Sequence, residues 1–143
     1  MGTRRKSREI AMQMLFQAAL GKQTADEVRK VFWASREEKE VDIETRGFAE
    51  DLFRVASERR EEIDALIEAH SQNWRLERMP VVDRNLLRAA IAEMLEYPMT
   101  PPAIVINESL EIGRRYAASE SVNFLNGVLD AVSKDVLAKR LAK

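Results

Sequence analysis

The chain contains no cysteine. Disulfides, thiolate zinc sites and cysteine nucleophiles are excluded together, and the expected compartment is a reducing cytoplasm. There is a single histidine, His70. An HExxH motif or any two-histidine metal site cannot form within one chain, so no metal and no cofactor are expected. Glycine and proline are scarce, at five and four residues. No glycine-rich phosphate loop is present, and such a composition favours helices over a sheet-and-turn fold. No apolar run reaches the roughly 18 residues of a membrane span, so no membrane is expected among the partners. An excess of either charge is missing too: 23 Lys and Arg face 24 Asp and Glu, a net charge of −1. The protein is not a globally basic nucleic-acid binder. Any electrostatic binding must come from local asymmetry.

That asymmetry lies at the N-terminus. Arg4, Arg5, Lys6 and Arg8 precede the first acid, Glu9, and run into an apolar-periodic stretch from Ile10. A helix N-terminus carries partial positive charge and free N–H groups. Cations there do not help the helix, but they suit the binding of phosphates. Glu9, Gln13 and Gln17 interrupt the apolar stretch at helical spacing, which reads as an amphipathic mature helix and not as a signal peptide. The 143 residues fit one domain, expected over 1–143.

The periodicity predicts six or seven helices and no strand. Ser7 is expected to cap a first helix over 8–20, with Gly21 as its stop. Thr24 and Glu27 form a capping-box pattern before a short second helix carrying Val28, Val31 and Phe32. Residues 35–41 read as a charged surface loop. Asp42 is expected to cap a long helical region ending near His70, either one helix or two in line. A connector from Ser71 to Pro80 contains Trp74. Further helices are expected over 82–96, 104–116 and from Ser119 or Ser121 onwards, separated by prolines. Asn126-Gly127 resembles a turn signal, but the apolar period passes through it. Gly127 is read as helical, with another helix packed close to it.

The residues offer little catalytic chemistry. His70 reads as a capping or packing residue. Glu108 and Glu111 could imitate a carboxylate pair, but Glu111 and Arg115 have the spacing of an i, i+4 ion pair. Phe16 and Phe124 are potential stacking platforms for bases. Arg114 and Arg115 add positive charge at a helix end, where they also favour the helix dipole. Ser121 and Asn123 could donate to phosphate or a base edge.

Three segments together resemble the NusB family of transcription antitermination factors. They are Arg4 to Phe16, Val82 to Met94, and Pro102 to Asp130. The last contains Val105-Ile106-Asn107-Glu108 and Phe124-Leu125-Asn126-Gly127-Val128-Leu129-Asp130. The resemblance covers nearly the whole chain and is weakest from Lys22 to Ser71. It implies an all-α fold of about seven helices in two packed three-helix sub-bundles plus an extra helix. It also implies binding to boxA RNA together with ribosomal protein S10 (NusE), within an RNA polymerase antitermination complex acting on ribosomal RNA operons. By position, the implied RNA surface takes in Arg4, Arg5, Lys6, Arg8, Phe16, Arg114, Arg115, Asn123 and Phe124. The implied S10 surface lies around the helix from Val82, with Glu77, Asp83 and Arg84 as its candidates. Asn123 stands where some members carry Lys, Phe16 where Tyr often occurs, and Glu120 places an acid beside the RNA face.

A related domain precedes the catalytic part of some ribosomal RNA methyltransferases. Here the sequence ends at Lys143, so the expectation is a binding factor and not an enzyme. The alternative is a helical protein-interaction module whose basic tail is incidental. The apolar helices could also serve a homodimer.

Overall fold

The computed structural model describes residues 2–35, 41–72 and 74–142. Seven α-helices and one 3-10 turn account for the regular structure among them. They are α1 (Gly2–Gly21), α2 (Ala25–Ser35), α3 (Ile43–Glu58), α4 (Arg60–His70), a turn at Leu76–Arg78, α5 (Val81–Glu96), α6 (Pro102–Tyr116) and α7 (Ser121–Leu141). No described helix is long and apolar enough to cross a membrane.

The expected sub-bundles are present. Helices α1, α2 and α3 pack together, as do α5, α6 and α7, and α4 is the extra helix, set against α3, α5 and α7. Helix α5 joins the halves through α1 and α3. Its residues from Asn85 to Met94 are all buried, on every side of the helix. That demands small and apolar residues with any charge paired. Ile10, Met14, Leu52, Phe53, Leu87, Ile91, Leu125 and Leu129 form the fully buried centre.

Local signals place most boundaries. The Thr24 backbone N–H donates to Glu27 at 2.8 Å, and the Glu27 N–H donates to Thr24 Oγ1 at 3.2 Å, a reciprocal capping box. Asp42 accepts from the Thr45 N–H at 2.8 Å and caps α3. The long helical region divides at Arg59, whose φ of −104° and ψ of 25° leave the helical well. Helix α1 stops at Gly21, and the left-handed turn falls one residue later, on Lys22 with φ of 51°. Of the charged loop expected over 35–41, residues 36–40 lie outside the described residues.

Two expected caps need correction. Ser7 is not a cap, because α1 begins at Gly2. Its hydroxyl donates to the Thr45 carbonyl at 2.7 Å and ties α1 to the start of α3. Helix α7 begins at Ser121 with Glu120 at its N-cap, and neither Ser119 nor Ser121 provides a side-chain cap.

Gly127 is helical as expected, but nothing packs on it: an added Cβ would meet no atom within 4 Å. The glycine that admits a close neighbour is Gly113 on α6, where a Cβ would stand 3.3 Å from both Leu125 Cδ1 and Leu86 Cδ2. Gly127→Ala is therefore expected to stabilise the protein by about 0.8–1 kcal/mol through helix propensity alone. Gly113→Ala should gain less or lose, because Leu125 and Leu86 must give way. Urea melts of the two variants test the contrast.

Candidate nucleic-acid interface

The basic residues of α1 do not form a uniform patch. Arg8 is buried, and its Nε and Nη2 each donate at 2.7 Å to the two oxygens of Glu93 on α5. Side-chain exposure is 9% for Arg8 and 1% for Glu93, so this is a buried, bidentate pair. Arg8 Nη1 also stands 3.6 Å from Glu108 on α6. One turn earlier, Arg5 donates from Nε and Nη2 to Glu108 at 2.9 and 2.8 Å. These contacts explain how α1 can start with cations at its positive end. The compensating acids come from α5 and α6.

Glu9 completes the seam. It accepts from Arg115 Nη1 at 2.9 Å and from the Tyr116 hydroxyl at 2.7 Å, both at the end of α6. Arg115 thus bonds across to α1 and not to Glu111 as its spacing suggested. Glu111 accepts from Arg114 instead. Both carboxylates of the imagined dyad, Glu108 and Glu111, are engaged by arginines.

The remaining cations face outward. Arg4 is exposed, with its guanidinium carbon 3.9 Å from the centre of the Phe48 ring. It borders an open recess of about 510 Å³ shared with Ser7, Glu44, Phe48 and Tyr97. Lys6 is half-buried and makes no ion pair among the described residues. Arg114 is exposed, and the Arg115 side chain remains 64% exposed despite its pair with Glu9. Only the Arg115 end of that pair is solvated; Glu9 is 7% exposed and keeps the Tyr116 hydroxyl as a second donor. Phe16 is half-buried further along α1, and Asn123 is exposed on the first turn of α7.

The carboxyl of Glu108 lies below its ordinary value. The hydrogen bond from Arg5 is the largest cause, burial opposes it, and the charges of Arg5 and Arg8 add to the lowering. A carboxyl with a depressed folded pKa stabilises the fold above its unfolded pKa, and that contribution is lost as pH falls through the folded value. Glu108→Gln is expected to flatten the loss of stability below the ordinary pKa of 4.5. Thermal melts across acid pH check this; an unchanged acid limb would mean that Glu108 does not couple α1 to α6.

The three S10 candidates are not equivalent. Glu77 is exposed and lies 3.8 Å from Arg75. Arg84 is half-buried, and its Nε finds no partner among the described residues. Asp83 is only 2% exposed and does not face solvent. It lines a cleft with Trp74, Pro80, Glu120, Ser121 and Phe124. Thus Phe124, expected on the RNA surface, and Asp83, expected on the S10 surface, line one cleft.

Several contributors were not singled out in the sequence: Glu93, Glu9, Tyr116, Phe48 and Trp74. One signal was available. Glu93 is the only acid in the otherwise apolar or small run Ala89 to Leu95, and an acid inside a buried helical stretch requires a cation. His70 lies apart from this face, with Nε2 2.8 Å from Asp135 Oδ2, where it links α4 to α7.

The family model described as the NusB family matches residues 5–134. The chain is 59% identical to the transcription antitermination protein NusB of Koribacter versatilis (strain Ellin345), over 99% of this chain and 96% of that protein. It is 42% identical to the protein of the same name from Desulforapulum autotrophicum, over 92% of each. Among solved structures, NusB of T. maritima matches with a TM-score of 0.82 and 33% identity, covering 92% of this chain and 91% of that one. A structure of antitermination factors NusB and NusE in complex with dsRNA matches with a TM-score of 0.81 and 28% identity, covering 94% and 98%.

Proposed function

The chain belongs to the NusB family, and on that premise we propose that it acts as one non-catalytic RNA-binding domain in transcription antitermination. It takes boxA RNA together with ribosomal protein S10 into the antitermination complex on RNA polymerase, in the cytoplasm, during ribosomal RNA synthesis. The observation that carries this reading is the seam between α1 and α6. Arg5 with Glu108, and Glu9 with Arg115 and Tyr116, hold the basic first turns of α1 beside the end of α6.

Roles divide along that seam. Arg4, Lys6, Arg114 and Arg115 meet phosphates, which supplies grip without sequence information. Arg5 is already bidentate to Glu108, so it shapes the face and adds a partly exposed charge. Arg8 is a positioning residue held inside by Glu93. Phe16, Asn123 and Phe124 provide ring faces and an amide for unstacked bases, where sequence choice resides. Glu77 and Arg84 flank the S10 side.

Competition between labelled boxA RNA and a permuted RNA of the same composition tests this reading. Preference for boxA is expected. Equal affinity for both would reduce the basic turns to a nonspecific patch and favour the protein-interaction module instead.

A further inference from the structure

Four arginines along the seam each hold a carboxylate: Arg5 with Glu108, Arg8 with Glu93, Arg114 with Glu111 and Arg115 with Glu9. Arg4 holds none among the described residues, and its guanidinium lies over the Phe48 ring instead. Phe48 in turn meets the Tyr97 ring edge to face at a centroid distance of 5.1 Å. These side chains line the open recess of about 510 Å³ between the starts of α1 and α3 and the end of α5. Small-ligand sites commonly have roughly 300–1,000 Å³.

Glu44 lines the same recess, is exposed and pairs with no cation among the described residues. A cation and an anion thus share one cavity without forming an ion pair. The Ser7 and Tyr97 hydroxyls already donate, to the Thr45 carbonyl and to Asp51. The groups left to a ligand are the Arg4 donors, the Glu44 acceptors and the ring surface.

Gly47 keeps this recess open. It is exposed in the second turn of α3, and an added Cβ would meet no atom within 4 Å. Its φ is not positive. Neither backbone conformation nor internal packing calls for glycine there, and glycine weakens the helix relative to alanine or leucine. A longer side chain on this wall takes up recess volume.

An occupant must offer acceptors to Arg4, donors to Glu44 and a flat face for stacking. An unstacked nucleotide offers all three. Its phosphate accepts from the edge of the guanidinium, its base stacks on the guanidinium plane, and its Watson–Crick edge stays free to be read. Guanine alone presents two adjacent donors on that edge, N1–H and N2–H, which match the two oxygens of one carboxylate. A cationic ligand suits Glu44 and the rings but is repelled by Arg4.

We propose that this recess receives one unstacked guanine nucleotide flanking boxA, its base stacked on Arg4 over Phe48 and its N1–H and N2–H donated to Glu44. The assignment rests on the RNA reading only for the strand that supplies the nucleotide. It carries the RNA path past the seam onto α3 and the end of α5, and it adds a base read by a carboxylate.

Titration of GMP into the full chain, with UMP beside it, tests the recess by itself through the NMR signals of the backbone amides of residues 43–48. GMP should bind about tenfold more tightly than UMP, as a two-pronged base contact provides. Glu44→Gln should erase that difference. Gly47→Leu should abolish binding of both nucleotides with no loss of stability in urea, because it fills the recess and favours the helix. If GMP leaves these signals unmoved, or moves them alike in the wild type and Gly47→Leu, the proposal is overturned whether or not the chain binds boxA. A second titration uses labelled boxA RNA extended at both ends by guanosines or by uridines. The wild type should prefer the guanosine form about tenfold, and Gly47→Leu should bind the two alike. Equal binding of both forms by the wild type overturns the proposal with the boxA reading intact. Failure of the wild type to prefer boxA over a permuted RNA refutes the boxA reading, and the GMP titration still decides what the recess accepts.

Discussion

Arg8→Ala will lower the free energy of unfolding by about 3–5 kcal/mol, the usual loss when one member of a buried ion pair is removed. The reason lies in what remains. Glu93 is 1% exposed and sits in the last turn of α5, the helix that joins the two sub-bundles. Without Arg8 its carboxylate loses two charge-assisted hydrogen bonds and must either stay charged in a poor medium or take up a proton. Denaturant unfolding measures the effect. The pair itself is not the source of large stability, because its desolvation offsets most of the attraction. Replacing both residues together, as Arg8→Met with Glu93→Leu, should therefore cost less than Arg8→Ala alone. If Arg8→Ala leaves stability unchanged and abolishes RNA binding, Arg8 is an RNA contact and its buried placement is wrong.

The second large effect is on RNA. Replacing Arg4, Lys6, Arg114 and Arg115 together with Ala should remove most of the salt dependence of RNA binding while the fold persists. Each phosphate neutralised on a single strand contributes about −0.7 to the slope of log affinity against log salt. Four contacts give a slope near −3, or about a fiftyfold loss of affinity as salt rises from about 50 to 200 mM. The wild type should show that loss and the fourfold variant should lose little. All four side chains lie at the surface or half-buried, and Glu9 keeps the Tyr116 hydroxyl when Arg115 is removed, so the variant should stay folded with a modest drop in melting temperature. Fluorescence anisotropy at several salt concentrations provides the slope. An unchanged slope would remove these residues from the RNA face.

Arg4, Arg5, Lys6 and Arg8 look alike as a string, yet their helical phase separates them. Arg8 turns inward to α5, Arg5 sideways to α6, Arg4 onto Phe48, and Lys6 outward. A run of cations carries no record of which acids lie across the fold, because Glu93 and Glu108 are 85 and 103 residues away. The helices were legible because their signals are local. The Thr24–Glu27 box, the Asp42 cap and the prolines before α5 and α6 act within a turn of themselves.

Ser7 and Gly127 were misread for the same physical reason. A serine before an apolar run has the chemistry of a cap, but tertiary contacts extended the helix past it and gave its hydroxyl to Thr45. A glycine in a helix usually marks close packing, yet the close approach falls at Gly113, and only the neighbouring side chains reveal which glycine has one. The segments that resemble the NusB family carry the proposed RNA and S10 residues, but they do not show that Asp83 and Phe124 share a cleft. That depends on the path from Trp74 to Pro80, which has no periodic pattern to read.

Binding of boxA RNA and S10 by one surface has a simple readout: labelled boxA RNA is titrated into the chain with and without S10, beside a permuted RNA. S10 should tighten binding of boxA and leave the permuted RNA as it was. Equal binding of the two RNAs, with S10 making no difference, would refute a shared surface.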